Sequence, residues 1–95
     1  MRLPDLVIAL GAQLSNEVEL ASVDKLTVYG AAAYTGVITL QFSPNGADWF
    51  NGDAVAAATM LEVPLALAER VRLSSTLAEA AERVTPLHGG GPNSV

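Results

Sequence analysis

Residues 36–51 constrain the fold more than any other stretch, because they have the pattern of a β-hairpin. Residues 37–42 are rich in β-branched and aromatic side chains and alternate between two faces, as a half-buried strand does. Residues 43–48 are nearly all turn formers, with a proline that presets φ and an Asn45-Gly46 pair that tolerates positive φ. Residues 49–51 then begin a returning strand. One face of the first strand carries Ile38, Leu40 and Phe42.

Other short segments, which either alternate apolar and polar residues or form a short apolar run, are each predicted to be a strand. These are residues 6–10, 17–20, 26–29, 60–63 and 70–74. The alanine-rich residues 54–59 are too few to stand alone as a helix and are predicted to be a loop or wide turn. Residues 65–69 are predicted to form one helical turn.

Residues 76–83 allow two interpretations. Their propensity favours a helix with a rough capping box, and in that helix Glu79 and Glu82 would form a surface pair. Because the segment is short and lies between two strand-like pieces, we favour a polar hairpin connection that runs into a last strand over residues 83–87.

About seven short strands with turn signals between them, and no alternation of strands with helices, predict an all-β fold. The expected architecture is an antiparallel β-sandwich or a barrel-like domain formed by residues 1–88. The glycine-rich residues 89–95 are predicted to be a flexible tail. Of the residues, 51% are hydrophobic, but many are alanine, so large apolar side chains are scarce. Self-association would relieve that shortage, and we expect a homo-oligomer.

Charge and cysteine content narrow the functional classes. The net charge is −5, with ten acidic residues against five dispersed basic ones, which argues against nucleic acid and anionic membranes as partners. The absence of cysteine favours folding in a reducing cytosol. The apolar run at residues 6–10 is too short for a membrane span or a signal peptide and is predicted to be the first strand.

No set of residues has the pattern of an active site. The single histidine, His88, precedes three glycines near the end of the chain, and there is no cysteine to act as a nucleophile or zinc ligand. Asp48 and Asp53 flank the aromatic turn and could offer oxygens to calcium, but Asx turns account for them without a metal. The sequence therefore predicts a protein that is not an enzyme and needs no cofactor or metal.

The aromatic residues point to a contact surface. All five aromatic side chains lie between positions 29 and 50. Phe42 and one of the neighbours Trp49 and Phe50 are expected in the core, while alternation turns the other toward solvent as a contact anchor. A sugar-stacking platform is a second interpretation of the same side chains. The candidate interface consists of Tyr34, Asn45, Asp48, Trp49 and Phe50.

Residues 26–29 and 36–50 resemble a pattern found in small phage structural proteins, a strand followed by an S-x-(D/N)-G-x-x-W hairpin. Residues 68–75 resemble the later strand of those proteins. The resemblance implies a virion protein made in the cytoplasm of a bacterial host, of the head-decoration (cement) type. Such proteins bind the lattice of the major capsid protein in many copies and have no catalytic residues.

Two alternatives remain open. The same hairpin pattern is similar to that of discoidin-like and other carbohydrate-binding sandwiches, which implies a small carbohydrate-binding module. The resemblance to virion proteins is also compatible with a head–tail joining or tail component.

Overall fold

Eight strands form two antiparallel sheets in the computed structural model, which describes residues 2–20, 23–64 and 68–90. The strands are β1 (Arg2–Ile8), β2 (Val18–Glu19), β3 (Lys25–Tyr29), β4 (Ile38–Ser43), β5 (Phe50–Val55), β6 (Met60–Pro64), β7 (Arg70–Ser75) and β8 (Arg83–Gly90). No helix occurs in these ranges. The predicted all-β class is confirmed, and the architecture is a β-sandwich rather than a barrel.

The order of the strands makes β4 and β5 a special pair. Sheet A has the order β1-β8-β3-β6, and sheet B has the order β2-β7-β4-β5. Only β4 and β5 are neighbours both in sequence and in a sheet, so the predicted hairpin is confirmed and is the one local pairing among the described strands. Every other neighbouring pair joins strands that are distant in sequence. The strand β5 lies at the open edge of sheet B.

The core lies between the two sheets and is aliphatic. Alternation along each strand sends one set of side chains inward, as in β7, where Val71 and Leu73 are buried and the arginines beside them are not. In β4, Ile38 and Leu40 are buried as predicted, and Phe42 is partly buried against the core. The buried set is Leu3, Leu6, Ile8, Val18, Leu20, Val23, Leu26, Val28, Ile38, Leu40, Val55, Val63, Val71, Leu73 and Leu87.

The boundaries of β1, β5 and β8 differ from the sequence prediction. The first strand is Arg2–Ile8 rather than residues 6–10. Residues 54 and 55 belong to β5, so only residues 56–59 form the predicted turn. The strand β8 continues through Gly89 and Gly90, which were expected in the tail. A Cβ on Gly89 would lie 3.0 Å from a methyl group of Val23, so packing explains this glycine. Residues 91–95 of the predicted tail and residues 65–67 of the predicted helical turn lie outside the described residues.

The connection after β7 is neither a helix nor a hairpin, because it crosses from sheet B to sheet A and delivers Glu79 into the interior. Glu79 is 1% exposed, so the surface pair with Glu82 that the helical interpretation implied does not form. Its carboxylate accepts hydrogen bonds from the amides of Thr35 (2.8 Å) and Gly36 (3.0 Å). It also accepts bonds from Ser75 Oγ (2.8 Å) and Arg83 Nε (2.9 Å). The carboxylate thus joins the start of β8 to the end of β7 and to the β3–β4 connection.

The hydrogen bonds determine the charge state of Glu79. Burial by itself raises the pKa of this carboxyl group, but the bonds from the Thr35 and Gly36 amides, the Ser75 hydroxyl and the Arg83 guanidinium outweigh burial. Together they lower the pKa of Glu79 from 4.5 to about 2. The ionised form therefore stabilises the fold above pH 4.5, and this contribution is lost as the pH falls from 4.5 toward 2.

Replacing Glu79 with glutamine tests this contribution. Glu79→Gln removes the negative charge opposite Arg83 and leaves buried donors without an acceptor, so we expect the free energy of unfolding at pH 7 to fall by about 2–4 kcal/mol. The difference from the wild type should shrink as the pH falls toward 2, where the wild-type carboxyl group also becomes neutral. Urea unfolding over a pH series measures both effects.

The matched control is Glu82→Gln, at an exposed position in the same connection. It should change the free energy of unfolding by about 0.5 kcal/mol or less. Equal effects of the two variants, or a Glu79→Gln effect that does not vary with pH, would contradict the assignment.

Candidate binding surface

The turn between β4 and β5 is held by its own side chains. Ser43 is buried, and its Oγ accepts hydrogen bonds from the amides of Gly46 (2.7 Å) and Asn45 (3.3 Å). Asn45 Oδ1 accepts bonds from the amides of Ala47 and Asp48, both at 2.9 Å. Gly46 has a φ of +79°, a conformation that glycine adopts without strain. These bonds fix the direction in which the chain enters β5.

Two predicted interface residues therefore have structural roles. Asn45 Nδ2 donates a 2.7 Å hydrogen bond to Asp48 Oδ2, so the two side chains are paired with each other across the turn. Both residues are exposed, but their polar groups serve the turn. Across the part of the chain that the structure describes, no three His, Asp or Glu side chains come close enough together to hold a metal ion.

Trp49, just before β5, lies beneath Arg72 of β7, the strand that pairs with β4. The guanidinium carbon of Arg72 is 4.0 Å from the centre of the indole ring, a cation–π arrangement. The indole is half-buried and is not part of the core. Arg72 is held in place by its Nε, which donates a 2.8 Å hydrogen bond to Gln41 Oε1.

A row of paired polar side chains covers the outer face of sheet B. Gln41 Nε2 donates a 3.0 Å hydrogen bond to Asn51 Oδ1. Arg72 of β7, Gln41 of β4 and Asn51 of the edge strand β5 therefore form one hydrogen-bonded row. In the next row, Arg70 forms salt bridges with Glu17 (3.1 Å) and Glu19 (3.6 Å) of the β2 region. None of these residues was predicted from the sequence to have a functional role. Alternation places Arg70, Arg72 and Gln41 on the outer face, but their partners follow from the order and register of the strands.

Phe50 is the most exposed aromatic side chain of the described residues. It stands directly opposite Phe42 on the core-facing side of sheet B, yet 62% of it is exposed. The prediction that either Trp49 or Phe50 enters the core is wrong. Alternation does put them on opposite faces, but β5 is an edge strand, so its inner side extends beyond the core.

Tyr34 is not part of the same surface as the turn. Its hydroxyl accepts a bond from the Ala31 amide (2.8 Å) and lies 2.7 Å from Thr85 Oγ1, so it fastens the β3–β4 connection to β8. Its ring helps to line an apolar groove of about 360 Å³ at the other end of the hairpin, beside Val37 and residues 54–57. The predicted interface thus divides into a turn that contains Asn45 and Asp48, the adjoining aromatic pair Trp49 and Phe50, and a separate anchoring tyrosine.

Comparison with protein-family models, curated proteins and solved structures found no match to this chain. Within residues 2–20, 23–64 and 68–90, no helix is long and apolar enough to cross a bilayer.

Replacing Arg72 with alanine should uncover Trp49. Arg72→Ala removes the guanidinium above the indole and the hydrogen bond to Gln41, which should lower the free energy of unfolding by about 1 kcal/mol. The single tryptophan should become more accessible, so acrylamide should quench its fluorescence more strongly and its emission maximum should shift to the red. Arg2→Ala, at an exposed site in sheet A, is the control and should leave both signals unchanged. Identical quenching in the wild type and in Arg72→Ala would contradict the stacking.

Proposed function

We propose that the protein is a non-catalytic structural component of a phage virion, a head-decoration protein that docks on the major capsid protein lattice through the free edge of β5. The observation that carries the proposal is Phe50, which is 62% exposed on the open edge of sheet B. Large aromatic side chains that are held at a surface are common anchors of protein interfaces. The resemblance of the hairpin to that of virion proteins supplies the class of partner.

The hairpin gives this anchor a rigid support. The Ser43 and Asn45 hydrogen bonds fix the turn, and Phe50 follows it by only two residues. Little side-chain or backbone entropy is therefore lost when a partner covers the ring. Full burial of a phenylalanine side chain contributes about 1.5–3 kcal/mol, which is weak for one copy. A capsid lattice presents many equivalent sites, and repeated contacts there multiply a modest affinity.

The edge strand also limits which partners can pair with it. Its middle carries Gly52 and the exposed Asp53, and the pairing of β4 with β5 has an irregularity between Thr39 and Gln41. Bulges and charges of this kind keep edge strands from pairing with one another. A capsid segment that docks along β5 would need to accommodate the Asp53 carboxylate as well as Phe50, which gives the contact specificity.

The buried carboxylate of Glu79 is consistent with a binding role rather than catalysis. Its carboxylate accepts bonds from two backbone amides, Ser75 and Arg83, and its lowered pKa keeps it ionised, so it is a poor acid or base near neutral pH. The single histidine, His88, lies against Tyr29. The two rings meet edge-on with 5.4 Å between their centres.

One observation bears on the carbohydrate-binding alternative. The side chains of Gln41, Asn51 and Arg72 supply polar groups next to Trp49, which sugar recognition requires. However, the guanidinium of Arg72 covers the ring that a sugar would stack on. We therefore rank this function second.

Cosedimentation with expanded capsids of the encoding phage tests the favoured function. Wild-type protein should bind saturably, and Phe50→Ser should lose binding at the same concentrations while it keeps its β-sheet circular dichroism spectrum. Leu10→Ser, which removes another highly exposed apolar side chain on the β1–β2 connection, is the matched control and should bind normally. Failure of the wild type to bind capsids, or normal binding of Phe50→Ser, would refute docking through this edge. Binding to purified tails alone would instead favour a tail component.

Trp49 fluorescence separates the glycan alternative from the favoured function. If the protein docks through β5, capsule or cell-wall polysaccharides should leave the emission of Trp49 unchanged over a titration series. Saturable quenching by a polysaccharide, abolished in Asn51→Ala, would favour the carbohydrate-binding module.

A further inference from the structure

The outer face of sheet A carries an apolar stripe of exposed and half-buried side chains. Met60 is 61% exposed and stands in register with the exposed Tyr29 on the next strand. On the same face, at the β1–β8 pair of strands, the exposed Val84 stands in register with Val7. Pro86 lies between these pairs on the same face of β8. We call these five side chains the sheet A stripe.

A row of polar residues runs parallel to the sheet A stripe and ends in opposite charges. Arg2 on β1 is in register with His88 on β8, His88 with Thr27 on β3, and Thr27 with Glu62 on β6. The row therefore has a cation at the β1 edge of the sheet and an anion at the β6 edge. Both end residues are exposed.

The charge on this face differs from that of the whole chain. The net charge of the protein is −5. The outward side chains of sheet A, however, include two basic residues, Arg2 and Lys25, and two acidic residues, Glu62 and Asp5. Asp5 pairs with Arg2 at 3.0 Å. Two copies that meet through this face would not bring most of their acidic residues together. The positive and negative groups on this face balance, so the face does not require a strongly acidic partner surface.

We propose that sheet A is the contact surface of a homodimer, in which two copies stack these faces with the sheet A stripe at the centre and Arg2 of each copy opposite Glu62 of the other. A two-fold axis along the strands places the β1 edge of one sheet over the β6 edge of its mate. The order of charges in the row is complementary to itself under that rotation. This self-complementarity makes a second copy, rather than an unrelated protein, the occupant that fits the face.

The dimer deepens the proposed function and uses different residues from it. Because the contact is through sheet A, the β5 edge of sheet B stays free in both copies. A dimer would then present two Phe50 anchors, which suits attachment to a repeating lattice. Self-association can be measured on the purified protein without any capsid, so the two proposals succeed or fail separately.

Sedimentation equilibrium of the full chain over a concentration series tests the contact. The wild type should show a monomer–dimer equilibrium, and Tyr29→Ser/Met60→Ser should remain monomeric over the range in which the wild type dimerises. Leu77→Ser, at an exposed apolar position on the β7–β8 connection, is the control and should dimerise normally. A wild type that stays monomeric throughout, or a dimer that survives the double substitution, would overturn the proposal while leaving docking through Phe50 untouched.

A charge exchange tests the orientation of the two copies. Glu62→Arg alone and Arg2→Glu alone should each weaken dimerisation about tenfold or more, because symmetry makes each change act twice. Arg2→Glu/Glu62→Arg should recover most of that loss relative to Arg2→Glu. Asp5 lies beside position 2 in both of these variants, so its repulsion cancels in the comparison. A double variant as weak as the single ones would refute the pairing of Arg2 with Glu62.

Discussion

The carboxylate of Glu79 is the interaction on which the arrangement of the two sheets depends. It bonds to Ser75 at the end of β7 in sheet B, to Arg83 at the start of β8 in sheet A, and to the amides of Thr35 and Gly36 before β4. A small aliphatic core has little free energy to spare, so a buried charge is tolerable only because four donors surround it, one of them the Arg83 guanidinium. Gly36 shows how close the segments come, since a Cβ there would clash with Ser75 Oγ. Fixing this end of the sandwich sets the position of β4, and through it the position of the β4–β5 hairpin.

The features that follow from local sequence were predictable, and those that depend on strand order were not. The β4–β5 hairpin is a local pairing that its turn residues encode, and alternation identified the inward side chains of β4. Glu79 had the appearance of a surface residue because its amide partners lie more than forty positions earlier in the chain. The contact of Arg72 with Trp49 and Gln41 likewise needs β7 to lie beside β4, which neither strand signals by itself. The exposure of Phe50 depends on the edge position of β5 in the sheet.

The proposed function and the proposed dimer assign different tasks to the two sheets. Sheet B presents a free edge with one aromatic anchor beside a polar outer face, whose charged groups are largely paired with one another. Sheet A presents a stripe of exposed and half-buried apolar side chains beside a polar row that ends in opposite charges. A domain with a weak anchor on one sheet and a self-complementary face on the other gains affinity when many copies bind together. This division is compatible with a head-decoration role, in which many copies act on one lattice.

Hydrogen–deuterium exchange of the capsid-bound protein tests the docking of β5 most directly. The outward amides of Phe50–Val55 have no strand partner among the described residues and should exchange rapidly in the free protein. On binding to expanded capsids, these amides should gain protection, while those of β7 in the centre of the same sheet should exchange as before. Protection that appears elsewhere on the domain and leaves the β5 amides unchanged would contradict the account.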